Sequence, residues 1–212
     1  MTCVNLFAAI EERIIESPPI NVAFPEVEAI LPREIKTIHI NVPEKINQAI
    51  EELVKRMMLE MGAEEENLEE MEGTYKVTLN KKGILSIRFE NFSFIQMQAH
   101  PWNIVRGLTF DLRNGKVATL GDLFRRNSMY RKIIVQEINR QIEERQIPLI
   151  TDTIKIQDDQ TYYLTDKALV IVFPRATIAP AVAGVPEFPI PYSLLANVIN
   201  KEGLLAPLVN KC

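Results

Sequence analysis

Five prolines constrain the C-terminal third of this chain more than any other sequence feature. They stand at Pro174, Pro180, Pro186, Pro189 and Pro191. Proline fixes φ and removes a backbone donor, so this stretch suits neither a helix interior nor a central strand. A connection with fixed φ angles loses little entropy on ordering, and this one is too apolar for ordinary coil. We therefore predict a long, shaped loop that presents a partly apolar binding surface.

Strand signals precede this loop and a helix signal follows it. β-Branched and aromatic residues flank the turn formers Thr165–Lys167, which predicts a hairpin from Tyr162 to Phe173. After the last proline, Tyr192–Leu195 is typical of a first helical turn. The Tyr192 side chain has an apolar ring and a polar tip, a combination favoured in interface anchors. An inward-facing Tyr192 that fixes the loop is the alternative.

The N-terminal half contains one strongly amphipathic segment. From Glu44 to Met61, apolar residues recur at spacings of three and four, which predicts a helix with Asn41 as its N-cap and Pro43 in its first turn. Its methionines are predicted to be core residues. Leu6, Ile10 and Ile14 are also spaced four apart, and this periodicity favours a second helix.

A meander of strands is predicted after this helix. Glu64–Glu70 is expected to be a solvated loop or helix extension, and Gly73 opens a sheet region with a hairpin turn at Asn80–Gly83. Phe92 and Phe94 have the opposite phase to Phe89, so we predict a bulge near Glu90–Asn91. A third strand covers Val105–Leu112 and ends before the turn signal Asn114–Gly115.

A second amphipathic helix precedes the proline-rich stretch. Thr119 and Asp122 have the spacing of a capping box, and Ser128 is predicted to cap a longer helix that ends before Pro148. Isoleucines at positions 134, 138 and 142 form one stripe of this helix against charged residues. The helix therefore packs one side on a sheet.

Several short runs resemble a known pair of families. In the C-terminal half they are Tyr163–Val170, Ile178–Pro180, Ala183–Gly184, Ile190–Tyr192, Thr109–Leu112, Asn114–Lys116 and Leu120–Phe124, and in the N-terminal half Phe24–Val27, Ile46–Asn47 and Leu85–Phe89. These runs resemble the bacterial domain-of-unknown-function family 3298 and its N-terminal companion, family 4163. The pair is found in the lysozyme-sensing anti-sigma factor RsiV and in the peptidoglycan deacetylase PdaC.

The resemblance implies a fold and a division of the chain. Together with the hairpin order of the strands, it predicts an α+β protein, with antiparallel sheets packed against two main helices in two closely packed halves. Residues 1–102 would be the companion domain and residues 103–212 the RsiV-like domain. It also implies strands, not a helix, on both sides of Ser17–Pro19, the second covering Ile20–Phe24.

The resemblance further implies a non-catalytic binding or sensing module of the bacterial cell envelope. Its ligand would be a protein such as lysozyme or a peptidoglycan-type glycan, bound outside the membrane. Six residues are the predicted ligand contacts: His100, Trp102, Pro180, Gly184, Pro191 and Tyr192. Ala99–His100 resembles an Ala-His pair of the family, with Met97 and Gln98 where the family has glycines. If Met1 is the native start, a cytoplasmic interaction protein is the alternative.

Composition and motifs argue against other classes. A net charge of −4 gives no basis for nucleic-acid binding, and no apolar run is long enough to span a membrane. Two histidines without paired cysteines give no metal site, and no cofactor or catalytic motif is present. A small hydrolase of envelope polymers that uses His100 and Asp111 is the enzymatic alternative. Cys3 and Cys212 are expected to be free thiols, with a disulfide between them as the alternative.

Overall fold

The computed structural model describes residues 5–32 and 41–209. They form two sheets with two principal helices, which confirms the predicted α+β fold. The six-stranded sheet contains β1 Phe7–Ser17, β2 Ile20–Leu31, β3 Leu68–Lys81, β4 Ile84–Ile95, β5 Trp102–Asp111 and β6 Lys116–Val117, in that order. The three-stranded sheet contains β7 Tyr162–Leu164, β8 Ala168–Val172 and β9 Glu187–Pro191. The helices are α1 Val42–Glu60, α2 Tyr130–Arg145 and the single turns α3 Tyr192–Leu195 and α4 Ala206–Val209.

Neighbouring strands pair in an antiparallel manner with one exception. β2 and β3 run parallel where Ile20–Val22 lies beside Met71–Gly73. The predicted hairpin turn between β3 and β4 is confirmed, because Lys82 and Gly83 both have positive φ angles, 55° and 78°. Two successive positive φ angles match the right-handed twist of the strands they join.

The six-stranded sheet is the middle layer of the protein. On one face α1 packs its buried stripe against inward-facing residues of β4, among them Leu85, Ile87 and Phe89. On the other face lie α2 and the three-stranded sheet, whose apolar cluster includes Ile84 of β4. Because β4 contributes to both clusters, it is apolar on both sides at its beginning. The division of the chain at residue 102 stays a prediction, and β5 belongs to the first sheet.

The strand implied at the N-terminus is confirmed, and the helix favoured by periodicity is wrong. β1 pairs with β2 along its whole length through the Pro18–Pro19 turn. Ile14, one member of the four-residue repeat, is 56% exposed and contributes no helix face to the core. Backbone pairing with β2 therefore outweighs a short apolar repeat. β2 itself continues to Leu31, beyond the predicted end at Phe24.

The first helix agrees with its prediction except at its cap. α1 begins at Val42 with Pro43 in its first turn, but the Asn41 side chain makes no capping hydrogen bond. Met57 and Met61 are buried in the core, as the amphipathic pattern predicted.

Two predictions about the meander are wrong. β3 begins at Leu68, so Glu69 and Glu70 belong to a strand and not to a loop. β4, which the structure describes in full, has no register shift at Glu90–Asn91, and the irregularities lie in β3. Phe89 is buried in the cluster beneath α1, whereas Phe92 lies on the opposite face of β4 and is only partly buried there.

The capping predictions had different outcomes. Thr119 and Asp122 exchange the hydrogen bonds of a capping box at 3.1 and 3.3 Å, although they open a short 3-10 turn. Ser128 does not cap α2: its hydroxyl is buried without a hydrogen-bond partner among the described residues, and Met129 occupies the N-cap. The isoleucine stripe of α2 is buried as predicted.

The C-terminal hairpin and α3 are confirmed, but the proline-rich stretch is not loop throughout. Glu187–Pro191 forms β9, an edge strand that, among the described strands, pairs with β8 alone. An edge strand tolerates proline because the backbone N–H groups on its outer side form no hydrogen bonds with another strand. The structure thus leaves a shorter connection between Phe173 and Glu187.

Some predictions lie outside the described residues. These concern Cys3 and Cys212, and the same undescribed ranges contain His39 and the apolar run from Ile35 to Ile40. Across residues 5–32 and 41–209, no helix has both the length and the apolarity needed to cross a bilayer.

Candidate functional site

A concave surface lies where β3, β4 and the start of β5 meet the proline-rich loop. Its volume is about 920 Å³, within the range of ordinary ligand sites. We term it the acidic cleft. It is lined by Glu70, Glu72, Thr74, Glu90, Phe92, His100, Pro101, Trp102, Asn103, Arg175, Ala181 and Val182.

Strand periodicity places the polar lining on one face of the sheet. Side chains two residues apart share a face, so Glu70, Glu72 and Thr74 project together from β3. In β4, Glu90 is the partner of Thr74 and Phe92 is the partner of Glu72. The alternate residues Met71 and Gly73 face the opposite, buried side. Three carboxylates are therefore brought to one wall by register alone.

These carboxylates have different environments. Glu70 and Glu72 are exposed, and neither forms an ion pair or hydrogen bond with another described side chain. Glu90 accepts hydrogen bonds from Arg88 Nη1 at 2.8 Å and Asn103 Nδ2 at 3.0 Å. Burial acts to raise the Glu90 pKa, but the bonds from Arg88 and Asn103 outweigh it and hold the pKa below its usual value. The cleft thus has one fixed charge and two charges available to a ligand.

Trp102 and Arg175 form the opposite wall. The Trp102 side chain is 39% exposed, and the Arg175 guanidinium stacks over its ring. Arg175 also donates to the carbonyl oxygens of Pro101 at 3.0 Å and Ala181 at 2.9 Å. One side chain therefore holds the proline-rich loop against the start of β5.

A polar network continues from the cleft to the three-stranded sheet. Arg88 Nη2 donates to Glu187 Oε1 at 2.7 Å, and the Tyr163 hydroxyl donates to Glu187 Oε2 at 2.6 Å. Burial and the Glu187 carboxylate raise the pKa of Tyr163. Since Arg88 also binds Glu90, it joins the cleft wall to β9.

The structure brings several of the predicted ligand contacts to this cleft. His100 and Trp102 line it directly. Pro180 and Gly184 flank a short 3-10 turn whose Ala181 and Val182 line it, and Val182 is 92% exposed. Gly184 has a φ of 74° that suits glycine.

The β4–β5 loop contains a non-glycine residue with a left-handed backbone. Met97 stands at a predicted glycine position and adopts a φ of 71°. Its side chain is 96% exposed, so the left-handed backbone does not force it into contact with the core. The loop that carries His100 thus keeps a glycine-type turn without glycine.

Tyr192 and Pro191 lie away from the acidic cleft. Tyr192 is buried, and its hydroxyl donates to the Thr165 carbonyl oxygen at 2.7 Å. Burial raises its pKa. Pro191 pairs with Ala168 at the end of β9. This placement agrees with the alternative that Tyr192 packs inward, and a ligand contact by either residue stays a prediction.

The enzymatic alternative is not assembled as predicted. His100 precedes β5 and Asp111 ends it, so about 30 Å of strand separates them at about 3.3 Å per residue. The Asp111 carboxylate is bound by Arg113 instead, at 2.6 Å. His100 shares the cleft with Glu90 and Thr74, but it forms no hydrogen bond with either. Among the residues that the structure describes, no group of His, Cys, Asp and Glu could hold a metal ion.

Four important lining residues were missed by sequence reasoning: Glu70, Glu72, Glu90 and Arg175. The alternation of Glu70, Glu72 and Thr74 with apolar residues is a strand signal that could have found the first two. Arg175 belongs to no motif. Its role depends on the loop returning to β5, which only the fold shows.

The chain is similar in sequence to a family of unknown function and to a characterised protein. Residues 121–193 match a family model described as a protein of unknown function, DUF3298. The anti-sigma-V factor RsiV of Bacillus subtilis (strain 168) is 31% identical over 175 residues, which cover 68% of this chain and 61% of RsiV. The chain thus spans less than two thirds of the length of this relative.

Two crystal structures share the fold. A DUF3298 family protein from Pseudomonas aeruginosa PAO1 has a TM-score of 0.64 at 15% identity and covers 96% of this chain, with 95% of its own length matched. A DUF3298 member from Bacteroides fragilis NCTC 9343 has a TM-score of 0.55 at 16% identity and covers 92% of this chain, with 93% of its own length matched. At such identities the likeness concerns the fold alone. By sequence, the chain is therefore a homologue of the anti-sigma-V factor RsiV, and its residues 121–193 match the DUF3298 family model.

Proposed function

We propose that this chain is a non-catalytic sensing module of the bacterial cell envelope, and that its acidic cleft recognises a positively charged protein such as lysozyme. The acidic cleft carries this proposal: two exposed carboxylates stand opposite an exposed tryptophan that is already held in place. Homology with an anti-sigma factor supports a regulatory binding role over catalysis. The envelope location and the companion-family assignment of residues 1–102 are parts of the proposal.

The charge pattern favours a cationic partner. Glu70 and Glu72 have no partner among the described residues, so a ligand's lysine or arginine side chains could pair with them without breaking an existing ion pair. Exposed charges of this kind mainly steer encounter, and their effect falls with ionic strength. Binding should therefore weaken as salt is added.

The opposite wall favours a rigid contact. Tryptophan is the residue most enriched among dominant interface contacts, and Trp102 is held by Arg175 before any ligand arrives. The proline-rich loop is likewise tied to β5 by Arg175. Ordering these groups in advance lowers the entropic cost of binding.

A peptidoglycan-type glycan is the second candidate. The rings of Phe92 and Trp102 line the same cleft as the hydroxyl of Thr74 and the imidazole of His100. Aromatic faces next to polar groups suit a sugar ring, which has an apolar face and a hydroxyl rim. This candidate predicts binding with little dependence on salt.

Calorimetric titration of the chain with lysozyme, and separately with soluble peptidoglycan fragments, tests both candidates. Saturable lysozyme binding that weakens with salt and is lost in Trp102→Ala supports the proposal. Phe7→Ala is the matched control, because Phe7 is also 39% exposed but lies on β1, outside the cleft. Salt-insensitive binding of fragments alone would favour the glycan, and cleaved or deacetylated fragments would overturn the non-catalytic assignment.

A further inference from the structure

A second cleft lies between α1 and the segment that precedes β7. Its volume is about 690 Å³, and it includes the end of α1, Arg106 of β5, and chain from Thr151 to Thr161 and from Phe173 to Ile178. We term it the threonine groove, because Thr151, Thr153, Thr161 and Thr177 all line it. It shares no lining residue with the acidic cleft.

Two of the three cationic side chains that line this groove have no ion-pair partner among the described residues. Arg106 is neutralised by Glu60, to whose carboxylate oxygens its Nη2 donates at 2.6 and 2.9 Å. Arg56 and Lys155 are exposed, and neither pairs with another side chain in the described part of the chain. Among the described lining residues, Asp159 is the one carboxylate besides Glu60, which Arg106 already binds. A bound anion would therefore meet two available cations.

The remaining lining suits a hydroxylated ligand. The threonine hydroxyls and the Gln157 amide can both donate and accept hydrogen bonds. Below them, Met57 and Phe173 provide a buried apolar floor. A sugar ring has hydroxyl groups at its rim and C–H groups on its face. The hydroxyl groups match the polar lining of the groove, and the C–H groups match its apolar floor.

The position of the groove on α1 disfavours ligands with a high negative charge. Its residues Leu53 to Glu60 belong to the C-terminal half of the helix, where the helix dipole is unfavourable to anions. Compact phosphate groups usually bind at helix N-termini instead. A single carboxylate, paired with Arg56 or Lys155, fits this setting better than a phosphate.

We propose that the threonine groove binds a saccharide unit that carries a carboxylate. The ammonium of Lys155 and the guanidinium of Arg56 bind the carboxylate, the threonines bind the hydroxyls, and the ring lies on the apolar floor. This proposal does not depend on the ligand of the acidic cleft.

Calorimetric titration of the full chain with trigalacturonic acid tests the proposal. The uncharged methyl ester of the same saccharide is the comparison ligand. We expect the acid to bind saturably. The double variant Arg56→Gln with Lys155→Gln should raise the dissociation constant of the acid about tenfold or more, which is equivalent to about 1.4 kcal/mol. The control is Arg126→Gln with Lys132→Gln, which removes the same charge from exposed residues outside both clefts and should leave affinity unchanged.

Several results would overturn the proposal. They are absence of saturable binding by the acid, equally tight binding of the methyl ester, and an equal loss in the control variant. Displacement of the acid by equimolar inorganic phosphate would contradict the preference for carboxylate. If Trp102→Ala loses saccharide binding, the saccharide binds in the acidic cleft and the proposal is wrong. If Trp102→Ala loses lysozyme binding but still binds the saccharide, the proposed function of the acidic cleft is separate and the groove assignment stands.

Discussion

The guanidinium of Arg175 lies over the indole ring of Trp102, with its Cζ atom 4.8 Å from the ring centroid. The two residues belong to distant parts of the chain, and their contact joins the proline-rich loop to the start of β5. Trp102 is also the only tryptophan in the sequence. Its fluorescence therefore reports on the acidic cleft without interference from another indole.

Replacing Arg175 should loosen this wall of the cleft. Arg175→Ala removes the cation–π contact and the hydrogen bonds to Pro101 and Ala181, so we expect red-shifted Trp102 emission and about tenfold weaker lysozyme binding. Arg175→Lys keeps the charge but not the planar fork, and should give an intermediate affinity. Emission spectra and calorimetry measure both effects. Unchanged affinity in Arg175→Ala would show that the loop needs no such support.

The carboxylates of the cleft should set the salt dependence of binding. Glu70→Gln with Glu72→Gln removes the two available charges, so lysozyme affinity should fall and its slope against ionic strength should flatten. Glu143→Gln with Glu202→Gln removes the same net charge from exposed positions outside the cleft. Titrations at several salt concentrations separate the two pairs. Equal effects would mean that net charge, not the cleft, governs binding.

Local sequence patterns predicted the elements better than the site. The stripe of α1, the Lys82–Gly83 turn and the hairpin from Tyr162 depend on nearby residues, and each prediction held. The acidic cleft depends on register, because Thr74 meets Glu90 only through the pairing of β3 with β4. No pattern within one strand contains that information.

Two wrong predictions concern properties that depend on how strands are arranged in the fold. Phe92 was expected to share a face with Phe89 because only one face of β4 was assumed to be covered. In the structure Phe89 lies in the cluster beneath α1, whereas Phe92 is partly buried in the acidic cleft on the opposite face, and the strand has no bulge between them. Likewise β9 tolerates Pro189 because it is an edge strand, a property that strand order determines.

Gly107 should be intolerant of any side chain. A Cβ atom at this position would lie 2.0 Å from the carbonyl oxygen of Tyr162, where β5 meets β7. Backbone cannot move aside as a flexible side chain can, so Gly107→Ala should cost about 3 kcal/mol or more. Gly121→Ala is the control, because its Cβ would have no neighbour closer than 3.7 Å. Denaturant unfolding of both variants measures the difference, and similar midpoints would contradict the close approach.

Tyr192 should affect stability more than ligand binding. Tyr192→Phe removes the hydrogen bond to Thr165 and should cost about 1 kcal/mol, whereas Tyr192→Ala also leaves a cavity and should cost about 3–5 kcal/mol. Thermal unfolding measures these losses. Lysozyme affinity of the folded Tyr192→Phe protein should equal that of the wild type. A large loss of affinity with little loss of stability would instead make Tyr192 a ligand contact.

Glu90 should make stability depend on pH in the acidic range. Its pKa in the folded protein is lowered, since the hydrogen bonds from Arg88 and Asn103 outweigh the opposing effect of burial. A lowered folded-state pKa contributes stability that is fully present above the unfolded pKa, about 4.3, and is lost as pH falls through the folded value. Wild type should therefore be more stable than Glu90→Gln at pH 7, and the gap should narrow below about pH 4.

Melting temperatures of wild type and Glu90→Gln between pH 7 and pH 3 measure this gap directly. Glu137, whose pKa Arg140 lowers, is present in both proteins, so its contribution cancels from the difference. If the gap for Glu90→Gln does not change with pH, the Arg88–Glu90 pair does not stabilise the cleft wall, and the link from the cleft to Glu187 loses its energetic basis.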